Sequence, residues 1–217
     1  MLINKEIIFF LNNQFHQKNN NNIWEKHHLE NFEFKSKFEE VDLYLDCPYF
    51  NIIPDELFNE LSDDQKSEFL ITNKSNYEFF SQPIPNLDGQ LFWCEKQSII
   101  NSIKNKIPNC NFNQIIKPLL INNKDSELKF YLAENFIYIS SFINGKLMLA
   151  NRFYTNNLDD ALYFILNTTK ESKLINLNFK FSAYGLNNET IIKKLKSIFP
   201  NNKYIIHQQS DLNSIFK

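Results

Sequence analysis

Few side chains in this 217-residue sequence have the type and spacing to do chemistry, and three sets stand out. The first is Asp159-Asp160, a pair that could hold a metal or serve as general acid and base. It falls in the first turn of a helical pattern, where carboxylates complement the positive end of the helix dipole, so a structural role is expected. The second is His27-His28 with His16. Neighbours on a strand point to opposite faces, so the adjacent pair cannot chelate one ion from one side, and no cysteine lies near. The third is Cys94, at a strand-to-helix junction where a helix N-terminus can activate a thiol. No histidine is close to it in sequence, and a small core residue is the expected role. No catalytic, cofactor-binding or metal-ligating residue is assigned from these sets, and no cofactor is expected.

Composition narrows the field further. Hydrophobic residues make up 43%, with 22 Phe and 9 Tyr against 3 Gly. Such a chain brings enough apolar surface to offset chain entropy, which excludes a disordered or collagen-like protein. Glycine scarcity argues against phosphate-cradling loops, which need backbone freedom and close approach. Net charge is −2, and Arg152 is the only arginine, so the basic footprint of a nucleic-acid binder is missing. The dense aromatics are expected in the core, with some left for a hydrophobic partner patch. Cys47, Cys94 and Cys110 are odd in number and lack a CxxC, which fits a reducing compartment. No stretch approaches the roughly 20 apolar residues of a membrane span, and the N-terminal apolar run is too short for a signal peptide. A cytoplasmic protein without membrane insertion is expected. The run Asn19 to Asn22 is expected to be a flexible loop.

The elements that must carry these residues are clearest in the second half. Residues 127–132, 135–142 and 145–152 read as strands, the last two meeting at Asn144-Gly145, the signature of a tight hairpin turn. Leu158, Ala161, Leu162, Ile165 and Leu166 mark one face of a helix over 157–170. A strand at 176–182 follows, then a helix through Ile191, Ile192, Leu195 and Ile198 stopped by Pro200, then a strand at 203–207. The order is βββαβαβ. In the first half, 6–11, 32–38, 41–46, 77–82 and 90–95 read as strands and 97–107 as a helix. Ser62 and Gln65 have the spacing of a capping box for a helix to about Ile71. A shift of 92 residues lays Ile99, Ile100, Ile103 and Ile107 on Ile191, Ile192, Leu195 and Phe199, and Pro108-Asn109 on Pro200-Asn201. That echo fits duplication of a half-molecule.

Two stretches, 49–61 (YFNIIPDELFNEL) and 144–166 (NGKLMLANRFYTNNLDDALYFIL), resemble a Bacteroidetes family of uncharacterised proteins, a domain of unknown function with an actin-like ATPase fold. The features that carry it are Ile53 to Phe58, Gly145 to Leu147, Asn151 with Phe153, and Asp160 ahead of Tyr163-Phe164. It covers most of the chain from about Val41 onward and suggests a shortened N-terminus. The resemblance implies an α/β fold of two actin-like (ribonuclease H-like) lobes, each βββαβαβ with a mixed sheet flanked by helices. They are expected at 1–122 and 123–217.

The ATPases of that superfamily carry an Asp-x-Gly turn in the first hairpin of each lobe. Here the corresponding turns are expected at Leu11-Asn12-Asn13 and Ala133-Glu134-Asn135, without glycine or the expected aspartate. Of the adenosine-contacting glycine pair only Gly185 stands in place. The leading expectation is therefore a non-catalytic interaction or scaffold module that has lost nucleotide binding, its partner another protein. The alternative is a divergent ATPase or small-molecule kinase using Asp42, Asp46 and Glu134.

Overall fold

Alternating apolar and polar positions, interrupted by an Asn-Gly turn, build the second half of the chain much as expected. The computed structural model describes residues 6–18, 24–34, 40–84, 87–121, 125–185 and 188–207. The run Asn19 to Asn22 and most of the strand expected at 32–38 lie outside them. The chain divides into two units, one spanning 1–84 and 88–115, the other 116–217 with 85–87.

In the second unit, β9 (Glu127–Leu132), β10 (Phe136–Ile143) and β11 (Lys146–Tyr154) form an antiparallel meander. Asn144 and Gly145 turn β10 into β11 with φ of 50° and 78°, the left-handed pair a two-residue hairpin requires. Helix α4 (Leu158–Glu171) is capped by Asn157, whose side chain accepts the amides of Asp159 and Asp160. It returns the chain to β12 (Lys180–Gly185), and α5 (Asn188–Ile198) leads to β13 (Lys203–Ile206). Strands β12 and β13 run parallel to β9, giving the order β11-β10-β9-β12-β13. The apolar stripes of α4 and α5 cover one face. Ala161, Ile165, Ile191, Ile192 and Leu195 pack there on Leu128, Phe130, Ile137, Ile139 and Phe181. Each such large side chain stabilises the fold by about 1.5–3 kcal/mol. The strand expected at 176–182 starts later, because Leu174–Asn176 close a 3-10 turn entered through Lys173 at φ 62°.

The first unit repeats this sheet. Strands β1 (Glu6–Leu11), β2 (Gln14–Lys18), β3 (Trp24–His28), β4 (Val41–Leu45) and β8 (Cys110–Gln114) take the order β3-β2-β1-β4-β8, with β4 and β8 parallel to β1. Strands β2 and β3 were implied by the hairpin expected at Asn12-Asn13 but not delimited from the residue pattern, and the segment beginning at Phe32 contributes no strand among the described residues. Between β4 and α3 (Gln97–Lys106) the chain inserts a smaller antiparallel sheet, with β5 (Phe50–Pro54), β6 (Tyr77–Pro83) and β7 (Gly89–Lys96) in the order β5-β7-β6. Two short helices, α1 (Asp55–Glu60) and α2 (Asp63–Glu68), belong to this insertion. Ser62 and Gln65 complete both halves of a capping box for α2, which ends at Glu68, short of Ile71. The echo at 92 residues now has a basis: α3 and β8 stand in the first unit where α5 and β13 stand in the second. It fails one step earlier, since β7 belongs to the small sheet and β4 is the true counterpart of β12.

Two local details shape the sheet edges and a strand end. On the outer strands β5 and β11, Asn51 and Asn151 each accept the amide of the next residue, Ile52 and Arg152, at 2.8 Å. At the end of β12, Gly185 has φ +91°, and a Cβ there would lie 2.0 Å from the carbonyl oxygen of Leu132. Gly185→Ala is therefore expected to cost several kcal/mol, combining an overlap with backbone and a left-handed φ. Gly89→Ala, whose Cβ would sit 3.2 Å from the Ile53 oxygen, is expected to cost about 1 kcal/mol. Urea unfolding of the two variants checks the contrast; equal midpoints would contradict it.

Candidate functional site

In sheets with parallel central strands, ligands sit beyond the carboxyl ends of those strands. In the first unit β1, β4 and β8 end at Leu11, Leu45 and Gln114, and the residues beyond are the Asn12-Asn13 turn, Asp46-Cys47 and Ile115. In the second, β9, β12 and β13 end at Leu132, Gly185 and Ile206, followed by Ala133-Glu134-Asn135, Asn188 at the start of α5, and His207. Both first hairpins thus fall where the resemblance placed them. Asn12 and Asn13 have φ of 49° and 61°, a conformation asparagine tolerates because its short polar side chain can bond locally. The second turn closes through Ala133 N–H to the Phe136 oxygen at 3.0 Å, and its Asn135 oxygen accepts the Thr155 amide at 3.0 Å. Neither turn holds a glycine or an aspartate, and Glu134 is exposed.

At the end of β4, Asp46 donates its amide to the Phe10 oxygen at 3.1 Å, and Cys47 is fully buried. The Cys47 thiol donates to Glu95 Oε2 at 3.3 Å, and the buried Gln114 side chain donates to the Cys47 oxygen at 2.9 Å. Glu95 also accepts the Lys96 amide at 2.7 Å. Burial, then the neighbouring Glu95 carboxylate, pushes the Cys47 thiol well above its ordinary range. Burial, then Glu95, drives Cys94 up to about 12. Burial also raises the Glu95 carboxyl above 4.5, against the opposing pull of the Lys96 amide and the Cys47 thiol. These groups suit a protonated, structural arrangement. The Cys94 thiol is thus shifted up rather than down, although α3 begins only two residues beyond its neighbour Glu95.

The other candidates take structural places. Asp160 accepts the Asn156 amide at 2.8 Å and Asp159 pairs with Lys194, which ties α4 to α5. His27 packs against Phe32, with ring centroids 5.8 Å apart, while His28 bonds Gln14 from the opposite face of β3. Asp42 accepts from the Asn111 side chain at 3.3 Å, and Asp46 bears electrostatically on Cys47 and Glu95. Among the described residues, no group of three or more His, Cys, Asp or Glu is placed to hold a metal.

Sequence reasoning missed a buried polar cluster in the second unit. Glu127, 3% exposed, accepts from Ser182 and pairs with Lys180 at 3.4 Å and Lys129 at 3.8 Å. The signal was there: 127 and 129 on β9 and 180 and 182 on β12 are polar at alternate positions of otherwise apolar strands. Arg152 lies over the rings of Tyr154, Phe136 and Tyr138 at 4.3, 4.6 and 5.8 Å, an aromatic stack on β11 and β10.

Residues 3–205 match the model of a family described as Protein of unknown function (DUF3822). No curated protein matches the chain. Among solved structures, a Bacteroides thetaiotaomicron protein with actin-like ATPase fold and unknown function aligns with a TM-score of 0.70 at 16% identity, over 98% of this chain and 93% of that one. A PilM–PilN type IV pilus biogenesis complex aligns with a TM-score of 0.51 at 9% identity, over 91% and 87%. The cytoplasmic domain of EpsL, an inner membrane component of the type II secretion system of Vibrio cholerae, aligns with a TM-score of 0.51 at 6% identity, over 82% and 81%. At these identities the likeness establishes the fold, which is actin-like.

The geometry around Glu95 makes a signed prediction. Its folded pKa lies above 4.5, so its contribution to stability is complete below that pH and is lost as pH rises through the folded value. Glu95→Gln is expected to remove this loss and raise the melting temperature at pH 7 relative to the parent, with little change at pH 4. Thermal unfolding across that range checks it; a lower melting temperature at pH 7 would count against it. Native Cys94, which is fully buried, is expected to resist iodoacetamide from pH 7 to 9 and to be labelled only after unfolding, as read by mass spectrometry. Ready labelling of the native chain at neutral pH would contradict the buried, raised thiol.

Proposed function

We propose that this chain, which belongs to the DUF3822 family of proteins of unknown function, is a non-catalytic actin-like interaction module that does not bind nucleotide. The observation that carries the reading is the chemistry of the two first hairpins. An ATPase of this fold needs a flexible, glycine-bearing turn with an aspartate there, so that amides can wrap phosphates and a carboxylate can reach their metal. Asn12-Asn13 is a tight two-residue turn with no acid, and Ala133-Glu134-Asn135 closes on its own strand. The raised thiols and the raised Glu95 carboxyl add no reactive group to the strand ends.

Fold analogy supports the interaction half of the reading. PilM carries the same fold in a complex with PilN, and the EpsL domain belongs to a secretion assembly. The module is cytoplasmic in this reading, its partner is a protein, and its two lobes correspond to the two units. No helix among the described residues is long and apolar enough to cross a membrane.

Isothermal titration with ATP and magnesium is expected to give no heat of binding, and the chain no phosphate release above buffer. Saturable magnesium-dependent binding at micromolar affinity would overturn the reading in favour of a divergent ATPase or kinase. Loss of that binding in Asp46→Asn or Glu134→Gln would then identify its acids.

A further inference from the structure

In the second unit, the end of the sheet opposite the hairpin turn at 133–135 has a surface of its own. Strands β12 and β13 run parallel, so α4 and α5 each run back across the sheet and finish where the next strand starts. The two bends that follow the helices are tied together there. The Asn202 side chain donates to the Phe179 oxygen at 2.8 Å, and the Phe179 and Phe199 rings meet with centroids 5.8 Å apart. A few residues from these rings along the chain, three aliphatic side chains stand in water: Ile175 is 51%, Leu177 42% and Ile198 46% exposed.

The same stretch of chain is strongly basic. Residues 170–203 hold seven lysines against Glu171 and Glu189, in a chain whose overall charge is −2. Two of the seven are neutralised, Lys180 by Asp125 and Glu127, and Lys194 by Asp159. Lys170, Lys173, Lys193, Lys196 and Lys203 are exposed and form no ion pair among the described residues. Lys170 and Lys173 stand at the end of α4, and Lys203 opens β13. Lys193 and Lys196 lie one turn apart on the exposed face of α5 and lead to Ile198. Glu189 sits in the first turn of α5, at the other end of that helix. The positive charge around the three aliphatic side chains is therefore largely uncompensated.

The residue types decide what such a surface suits. Protein interfaces concentrate aromatic side chains and arginine at their centre, whereas the exposed apolar groups here are isoleucine and leucine and the cations are all lysine. Lysine is a hydrated point charge on a long apolar stem, which suits a diffuse layer of phosphates better than paired recognition of one carboxylate. A nucleic acid would meet the lysines through its phosphates, but its bases stack on aromatic rings rather than on isoleucine and leucine. We propose that this end of the second unit docks the chain peripherally on an anionic lipid bilayer. Ile175, Leu177 and Ile198 enter the headgroup layer, and the five lysines meet lipid phosphates around them. The docking goes beyond the interaction reading above and stands whether or not nucleotide binds at the strand ends.

The test is flotation of the full chain with vesicles at about 0.1 M salt, one set of phosphatidylcholine alone and one with about 30% phosphatidylglycerol. The chain is expected to float with the anionic vesicles only, and to be released at about 0.5 M salt. Lys193→Glu with Lys196→Glu, and separately Ile175→Ser with Leu177→Ser, should each weaken binding about tenfold or more, all four positions being exposed. Lys96→Glu, in the first unit, should leave it unchanged. Ile175→Trp should bind as well as the parent, its emission shifting to the blue with anionic vesicles alone. Failure to float, equal flotation with both sets, full binding by either double variant, or an unshifted tryptophan would overturn the proposal. Tighter binding of a single-stranded RNA or of an amphipathic Leu/Glu peptide, lost in the lysine variant, would also overturn it. Those outcomes would assign the surface to nucleic acid or to an acidic protein segment.

Discussion

How closely the fourth strand of each unit can run beside the first is the constraint on which the rest of the architecture hangs. In the second unit β12 lies parallel to β9 down to the pair Gly185 and Leu132, where the backbones approach too near for any side chain. Because β12 reaches that point, β13 can pair on its far side and His207 can extend the ladder to the Ala183 oxygen. The Asn188 side chain then bonds the Gly185 oxygen at 2.9 Å and starts α5 directly above the sheet. The first unit solves the same problem without glycine. Its β1–β4 ladder runs on through the Asp46 amide to Phe10, and the chain then leaves the sheet to build the insertion.

That difference explains how a fold whose nucleotide-binding members depend on glycine can be specified with three of them. One glycine serves a hairpin beside Asn144, one the start of the central strand of the small sheet, and one the close approach of two parallel strands. Lys173 takes one further left-handed position, and asparagine, a residue type that tolerates them, takes two more at Asn12 and Asn13. Such a turn holds a hairpin register well and offers little freedom to wrap a ligand. At the end of β4 two polar contacts likewise turn inward, Cys47 being bonded to Glu95 and Gln114 to the Cys47 carbonyl.

The second unit was legible because its elements announce themselves locally. Strand β9 alternates, Asn144-Gly145 forces a tight turn, and the stripe on α4 follows a helical period. In the first unit β2 (QFHQK) and β3 (WEKHH) offer few apolar residues, because they lie toward the outer side of their sheet. The Asn12-Asn13 dipeptide between two extended segments was the cue that a hairpin began there. No local pattern distinguishes a strand of the main sheet from one of the insertion, so the 92-residue shift sets β7 against β12, although β4 is the counterpart of β12 in its own sheet. The contact of Cys47 with Glu95, 48 residues apart, is a product of that insertion and has no trace in sequence spacing.

The asparagines of the outer strands have a bearing on how this chain behaves in crowded solution. A sheet edge with open amides is a template on which another strand can add, and an aromatic-rich chain has much to lose from such growth. By turning its side-chain oxygen onto the next amide, Asn151 on β11, like Asn51 on β5, occupies a donor that an incoming strand would need. Sheet-to-sheet aggregation is thereby discouraged at two margins by residues that add no charge and cost the core nothing.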